Sequence, residues 1–451
     1  MSSSVAESVS ITSAIGQHPS MLLGQRRNRK VVMSVGAGAF QRLVQVASTV
    51  VVMPLLLHVL GAAKFGIWGA AASLAWLSGL MDIGTGTALV TLVARSSAAE
   101  GADGARRHVS GALSIGSGVG CGIVVAATLA LVATDSRGWA WPYLIAAIGL
   151  GVNIPLSASN NIWMALQKGY VSGFWELVQT LVTTAGLVIA AMVTRDIRVF
   201  VGIVYLGLVL ANSGSLIHLF RSHPELRPRG LTNSWAAMRD VAGQGILYFV
   251  MALVGSLAFV LDNVLALWLL GPEASARMTI ALRICITAAG ALVVLSQPLW
   301  PAFADAAERT DWKWIRKGAL RGSALLVGLT LAGSSLLLVY GERLLHWWLR
   351  TNLGISRGLL WAIAAWVFAQ ALVRIPVLLL NGLSVLHYQI AVISIATLVA
   401  LTLKFALAPY FGVAGILWGT STAVLLIVVP AAIWRIWRWA VQPSPQGGKL
   451  G

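Results

Sequence analysis

Twelve apolar runs of twenty or more residues follow one another along this 451-residue chain, and no other feature limits its fold as much. A helix rises about 1.5 Å per residue, so about 20 apolar residues cross a hydrocarbon layer about 30 Å thick. The runs lie near 35–58, 66–93, 109–134, 140–165, 170–194, 199–220, 242–269, 276–301, 319–340, 358–385, 389–409 and 412–434. A membrane barrel would show alternating segments of about ten residues instead. In lipid every backbone group must be satisfied within the structure, and helices do this segment by segment. Only 10% of the residues are charged, against about a quarter in soluble domains. The sequence therefore predicts an all-α polytopic membrane protein with 12 transmembrane helices.

The net charge of +17 suggests a nucleic-acid partner only until its placement is read. With a cytoplasmic N-terminus, the inner loops hold twenty Lys and Arg, from Arg26 and Arg27 to Arg438 and Lys449, and the outer loops eight. This bias predicts both termini on the cytoplasmic side and no nucleic-acid role. A polar leader, 1–30, expected to be disordered, ends in "RRNRK" before an apolar stretch too long for a signal-peptide core. Cys121 and Cys285 lie inside apolar spans and suggest neither a disulfide framework nor a metal site.

The wide basic loop "RSHPELRPRGLTNSW" divides the helices six and six, giving an N-lobe over 31–220, a linker over 221–241, a C-lobe over 242–440 and a cytoplasmic tail over 441–451. The halves echo each other. "HVLGAAKFGIW" returns as "WLLGPEASARM" with Gly61 matching Gly271, "AAEGAD" returns as "AAERTD", and Asn161 and Leu166 match Asn381 and Leu386. Each half begins on the same side, so the lobes are expected to be related by a pseudo-two-fold axis along the membrane normal, an arrangement found in transporters with a central site.

Polar residues fall in stripes at helical spacing rather than at random. The stripes are Arg42, Gln45 and Thr49; Ser78, Asp82 and Thr85; Asn153, Ser157 and Asn160; Ser172, Glu176, Gln179 and Thr183; Gln244, Tyr248 and Asp262; Thr279, Arg283, Thr287 and Gln297; and Gln370, Arg374 and Asn381. A helix with an inward polar stripe lines a wet cavity, because the same groups would be unsatisfied against lipid. Arg42, Asp82, Glu176, Asp262, Arg283, Arg374 and Lys404 together oppose insertion by on the order of 10–20 kcal/mol, a cost that implies use or pairing. Lys404 and Arg283 are near enough to span ends to snorkel. Arg374 is nearest the midplane, where a ligand role competes with a structural ion pair to Asp262 or Asp82. Asp82, Glu176 and Asp262 are ion-coupling candidates, and also candidate counter-ions or helix glue. Gly84 and Gly86 after Asp82, with Pro54, Pro155, Pro298, Pro301 and Pro376, mark places where spans could be broken.

Motifs for soluble or enzymatic chemistry are lacking: there is no Walker-type loop, no H-E-x-x-H, no paired-carboxylate metal motif and no long extramembrane loop. "GSGVGCG" at 116–122 lies within a span with no preceding strand, and close helix packing explains it better than phosphate binding. No enzyme activity, cofactor or metal is expected, and uphill transport would draw on an ion gradient such as H+ or Na+, or on substrate consumption at the far side.

"HVLGAAKFGIWGAAASLAWLSGLMDIGTGTALVTLVAR", "FVLDNVLALWLLGPEASARMTIALRI" and "LSQPLWPAFADAAERTD" resemble the Wzx-type O-antigen and exopolysaccharide flippases, within the multidrug/oligosaccharidyl-lipid/polysaccharide (MOP, MATE-like) superfamily. The resemblance spans roughly residues 30–435 and implies a V-shaped pair of six-helix lobes in the bacterial cytoplasmic (inner) membrane. It also implies a substrate, an oligosaccharide repeat unit on undecaprenyl diphosphate, with membrane lipids and polysaccharide polymerase machinery as further partners. On that reading Arg42, Arg283 and Arg374 would bind the diphosphate, a planar bidentate task suited to guanidinium. Gln45, Asn153, Asn160, Glu176 and Gln179 would touch sugar hydroxyls. The related peptidoglycan-precursor flippases carry two further C-terminal helices, whereas twelve spans are expected here, which speaks against a peptidoglycan role. A cation-coupled multidrug exporter of the same superfamily, and a membrane enzyme of polysaccharide assembly, are the competing readings.

Overall fold

A computed structural model describes residues 18–75, 101–134, 140–228, 261–297, 299–382 and 386–441, with isolated residues 89, 92 and 239. Its helices are α1 (His18–Ser73), α2 (Gly101–Thr134), α3 (Ala140–Ala165), α4 (Gly169–Val193) and α5 (Ile197–Ser222), then α6 (Asp262–Leu270), α7 (Pro272–Ser296), α8 (Leu299–Glu308) and α9 (Trp312–Leu349). After these come α10 (Arg357–Gly382), α11 (Leu386–Phe411), α12 (Val413–Ala423) and α13 (Val429–Val441), the last two joined through a π turn, Val424–Val428. Ten helical spans among the described residues are long and apolar enough to cross a membrane. Most of the predicted second and seventh spans lies outside the described residues. The protein is a multi-pass, all-helical membrane protein. Leu129, Ile189, Leu336 and Leu398 are each more than 60% exposed, as side chains facing acyl chains would be.

Two expectations about helix ends need correction. Residues 18–30, placed in a disordered leader, are helical and run without a break into the first span. "MLLGQRRNRKVV" has no proline and is rich in good helix formers, so the span propagates backward. Three of the five prolines do not break their helices either: α1 continues through Pro54, α3 through Pro155 and α10 through Pro376, whereas Pro298 lies outside the described residues, between the end of α7 at Ser296 and the start of α8 at Leu299. Two matching breaks fall at glycine. Gly61 (φ 74°, ψ 164°) kinks α1, and Gly271 (φ 91°, ψ 178°) separates α6 from α7. This backbone conformation is open almost only to glycine. The two residues paired by the sequence repeat thus make the same turn in each half.

The N-lobe packs α2 on α3, α3 on α5, and α4 on both α1 and α5; the C-lobe packs α9 on α10, α11 on α12, and α10 on α12 and α7. Within the N-lobe, "GSGVGCG" serves close packing: a Cβ on Gly120 would lie 2.2 Å from the Gly151 carbonyl oxygen. The lobes meet chiefly where α1, past its kink, lies along the start of α7. Phe65, Trp68, Ala276 and Met278 are buried there in one continuous core. Ser275 Oγ donates to the Gly66 carbonyl at 2.9 Å, and Asn263 Nδ2 to that of Gly69 at 3.4 Å. Further along α1, Trp348 Nε1 of α9 donates to the Val50 carbonyl at 2.9 Å.

Candidate functional site

A cavity of about 450 Å³ opens inside the N-lobe. Its wall is built from the polar stripes of α1, α3 and α4, closed by α5. Gln45, Asn153, Asn160, Glu176 and Gln179 all line it, although they come from three helices. One residue crosses from the other lobe: Arg283 of α7. Lys404 and Asp262 are not among the lining residues.

An amide relay gives the wall its shape. Asn212 Nδ2 donates to Asn153 Oδ1 at 2.7 Å, and Asn160 Nδ2 donates to Asn212 Oδ1 at 3.2 Å. Ser172 Oγ in turn donates to Asn160 Oδ1 at 3.3 Å. Ser48 and Thr184 bond hydroxyl to hydroxyl between α1 and α4. Asn153 Nδ2 and Thr183 Oγ1 are buried with no hydrogen-bond partner among the described residues. Unpaired donors at a hydrated wall cost free energy unless a polar ligand or water takes them up. Asn212 and Ser48 were missed in the sequence. Asn212 sits in "LVLANSGSL", where Asn212 and Ser215 mark a polar face that the periodicity of α5 could have exposed.

Of the three arginines expected to share a diphosphate site, Arg283 lines this cavity, while Arg42 and Arg374 are bonded to α7 further along. They form a file along α7. Arg283 belongs to that helix, Arg42 Nη1 donates to its Gly290 carbonyl at 3.3 Å, and Arg374 Nε donates to its Ser296 Oγ at 2.9 Å. Arg374 Nη2 also reaches Gln297 Oε1 at 3.5 Å. From Arg283 to Ser296 is about 20 Å at 1.5 Å per residue. A stripe in sequence fixes which residues share a face, and leaves open which neighbouring helix that face meets. Among the described residues no carboxylate forms a salt bridge with Arg42, Arg283 or Arg374. Arg42 nonetheless lies within electrostatic range of Glu176 and of Arg374.

Asp262 settles the question of its own partner. Its Oδ1 accepts from Lys404 Nζ, both side chains are 0% exposed, and Oδ2 has no partner among the described residues. Lys404 does not snorkel and Asp262 does not pair with Arg374; the two neutralise one another inside the C-lobe. Asp82, Ser78, Thr85, Gln244 and Tyr248 lie outside the described residues. Cys121 is exposed and Cys285 buried, and neither joins the cavity.

Solved structures share this architecture. A multidrug resistance MATE family transporter of the MOP superfamily, inward-facing, matches with a TM-score of 0.72 at 12% identity, over 90% of this chain and 100% of that one. The lipid II flippase MurJ, inward closed, gives 0.71 at 13% identity over 90% and 87%. An outward-facing MATE family transporter gives 0.58 at 13% identity over 92% and 96%. A search of curated proteins returns no match. A family model described as polysaccharide biosynthesis protein matches residues 34–307, more than half of the sequence. The chain, which has the MOP-superfamily fold, belongs to the polysaccharide biosynthesis protein family.

Proposed function

We propose that this protein flips undecaprenyl-diphosphate-linked oligosaccharide repeat units from the cytoplasmic to the outer leaflet by alternating access. The observation that carries the reading is a hydroxyl- and amide-lined cavity of about 450 Å³ within a membrane-spanning lobe, reached by an arginine of the facing lobe. Amides and hydroxyls are the groups that exchange hydrogen bonds with sugars. The arginines along α7 supply the complementary charge: an unpaired diphosphate in a low-dielectric layer is very costly, and guanidinium stays protonated there. With the basic loops on the cytoplasmic side, the lobes are closed at the outer end and the cavity serves the cytoplasmic leaflet, from which a lipid-linked sugar would be loaded.

The multidrug-exporter reading calls for a cavity that attracts cations. Among the described residues that line this cavity the one carboxylate, Glu176, is accompanied by a guanidinium, Arg283. Deleting the gene tests the proposal: lipid-linked repeat units should accumulate facing the cytoplasm. Unchanged surface polysaccharide would overturn it. Efflux of cationic drugs from vesicles would favour the exporter, and sugar transfer by the purified protein an enzyme.

A further inference from the structure

A second concavity lies on a different face of α7. There α7, α9 and α10 enclose an apolar groove of about 680 Å³. Leu292 and Leu295 of α7, Leu329 and Leu337 of α9, and Ile363 and Val367 of α10 form its walls. Leu295 is 50% and Leu329 48% exposed, so the groove is open along its side to the bilayer rather than sealed in the core.

One end of this groove is cationic. Arg374 stands seven residues beyond Val367, two turns along the same face of α10, and is bonded to Ser296 and Gln297, the two residues that follow Leu295. Arg42 meets α7 at Gly290, next to the groove-lining Ala291. An apolar slot that ends at the Arg374 guanidinium, with Arg42 beside its middle, is complementary to an amphiphile with an anionic head. The order of features around α7 narrows the choice. Arg283 points α7 into the amide cavity, Arg42 joins the cavity helix α1 to α7, and the groove follows. Sugar, diphosphate and isoprenoid are connected in the same order in a lipid-linked oligosaccharide. A membrane phospholipid would use only two of the three.

We propose that this groove seats the isoprenoid tail of the transported lipid while its diphosphate engages Arg42 and Arg374 and its sugars enter the N-lobe cavity. The inference rests on the flippase reading above. Moving a hydrocarbon tail from lipid into an apolar groove gains no hydrophobic free energy. The groove therefore acts through packing: it holds the methyl-branched chain in register with the arginines and discriminates by shape.

Gly333 of α9 offers a clean perturbation, because it lines the groove and a Cβ there meets nothing within 4 Å. The full-length protein in vesicles would be given a polyprenyl diphosphate disaccharide with a photoreactive group in its tail, and a geranyl analogue with the same head. Crosslinks are expected on the groove segments of α7, α9 and α10. Gly333→Phe should lower both labelling and translocation of the long-tailed lipid about tenfold, a change of about 1.4 kcal/mol, while the geranyl analogue crosses as in wild type. Translocation with label on other helices, equal labelling by a phospholipid with the same photoreactive chain, or equal slowing of both tails would overturn the inference. No translocation of the long-tailed lipid by wild type would instead refute the flippase reading, and this inference with it.

Discussion

Gly66 tests how the two lobes close. A Cβ at this position would lie 1.9 Å from the Pro272 carbonyl oxygen and 2.9 Å from the Ala276 nitrogen, where ordinary contact begins at 3.4 Å. The obstacle is backbone at the start of α7, so no rotamer relieves it, and α1 and α7 must part by roughly 1.5 Å in Gly66→Ala. Separation also strains the bond from Ser275 Oγ to the Gly66 carbonyl, now 2.9 Å. Overpacking costs about 1–3 kcal/mol and a lost buried hydrogen bond about 1 kcal/mol, so the closed state should lose about 2–4 kcal/mol. That is a shift of roughly 30- to 1000-fold between closed and open lobes. Electron spin-echo distances between labels at Arg198 and Asn352, exposed at the same end of the two lobes, would report it, with Cys121 and Cys285 replaced. Gly66→Ala should move the distribution to longer distances. Gly69→Ala should act in the same direction, because its Cβ would meet the Oγ1, Cγ2 and Cβ of the buried Thr279 at 2.0, 2.9 and 3.0 Å, contacts that rotation about χ1 does not clear. Gly118→Ala faces open space and should do nothing. A folded Gly66→Ala protein with the wild-type distribution would refute this account of closure.

Lys404→Met should lower stability by about 3–5 kcal/mol, seen as earlier thermal unfolding in detergent, because it leaves the buried Asp262 carboxylate without Lys404; adding Asp262→Asn should recover part of the loss. Asn212→Ala removes the link between Asn153 and Asn160 and should slow translocation about tenfold while leaving membrane levels unchanged, a comparison of transport with immunoblot. Arg374→Ala should abolish export, whereas Arg374→Lys, which keeps the charge and loses the planar fork, should restore it only in part, measured as surface polysaccharide.

Hydrophobic thickness made the spans legible. The predicted 140–165 coincides with Ala140–Ala165, because a bilayer dictates how long an apolar helix must be. The repeat was legible at Gly61 and Gly271 because an unusual backbone turn demands glycine in both halves. Three-dimensional partnership was not. Asp262 and Lys404 are 142 residues apart, and nothing local to either announces the other. Arg374 could be assigned to a polar face by its spacing from Gln370 and Asn381, yet the helix that this face meets, α7, follows only from tertiary packing. Pro155 and Pro376 suggested breaks that the structure does not make, since a helix in a packed lobe can satisfy the carbonyl each frees.

Fixed arginines along α7 are proposed to escort a diphosphate across the membrane. Vesicles containing the purified protein and a fluorescent undecaprenyl-diphosphate oligosaccharide measure this directly, through exposure of the sugar to a quencher outside. Wild type should bring the initially shielded lipids to the quenchable face, and Arg283→Gln and Arg374→Gln should leave them shielded. Equal exposure in wild type and both variants, or none in wild type, would contradict the account.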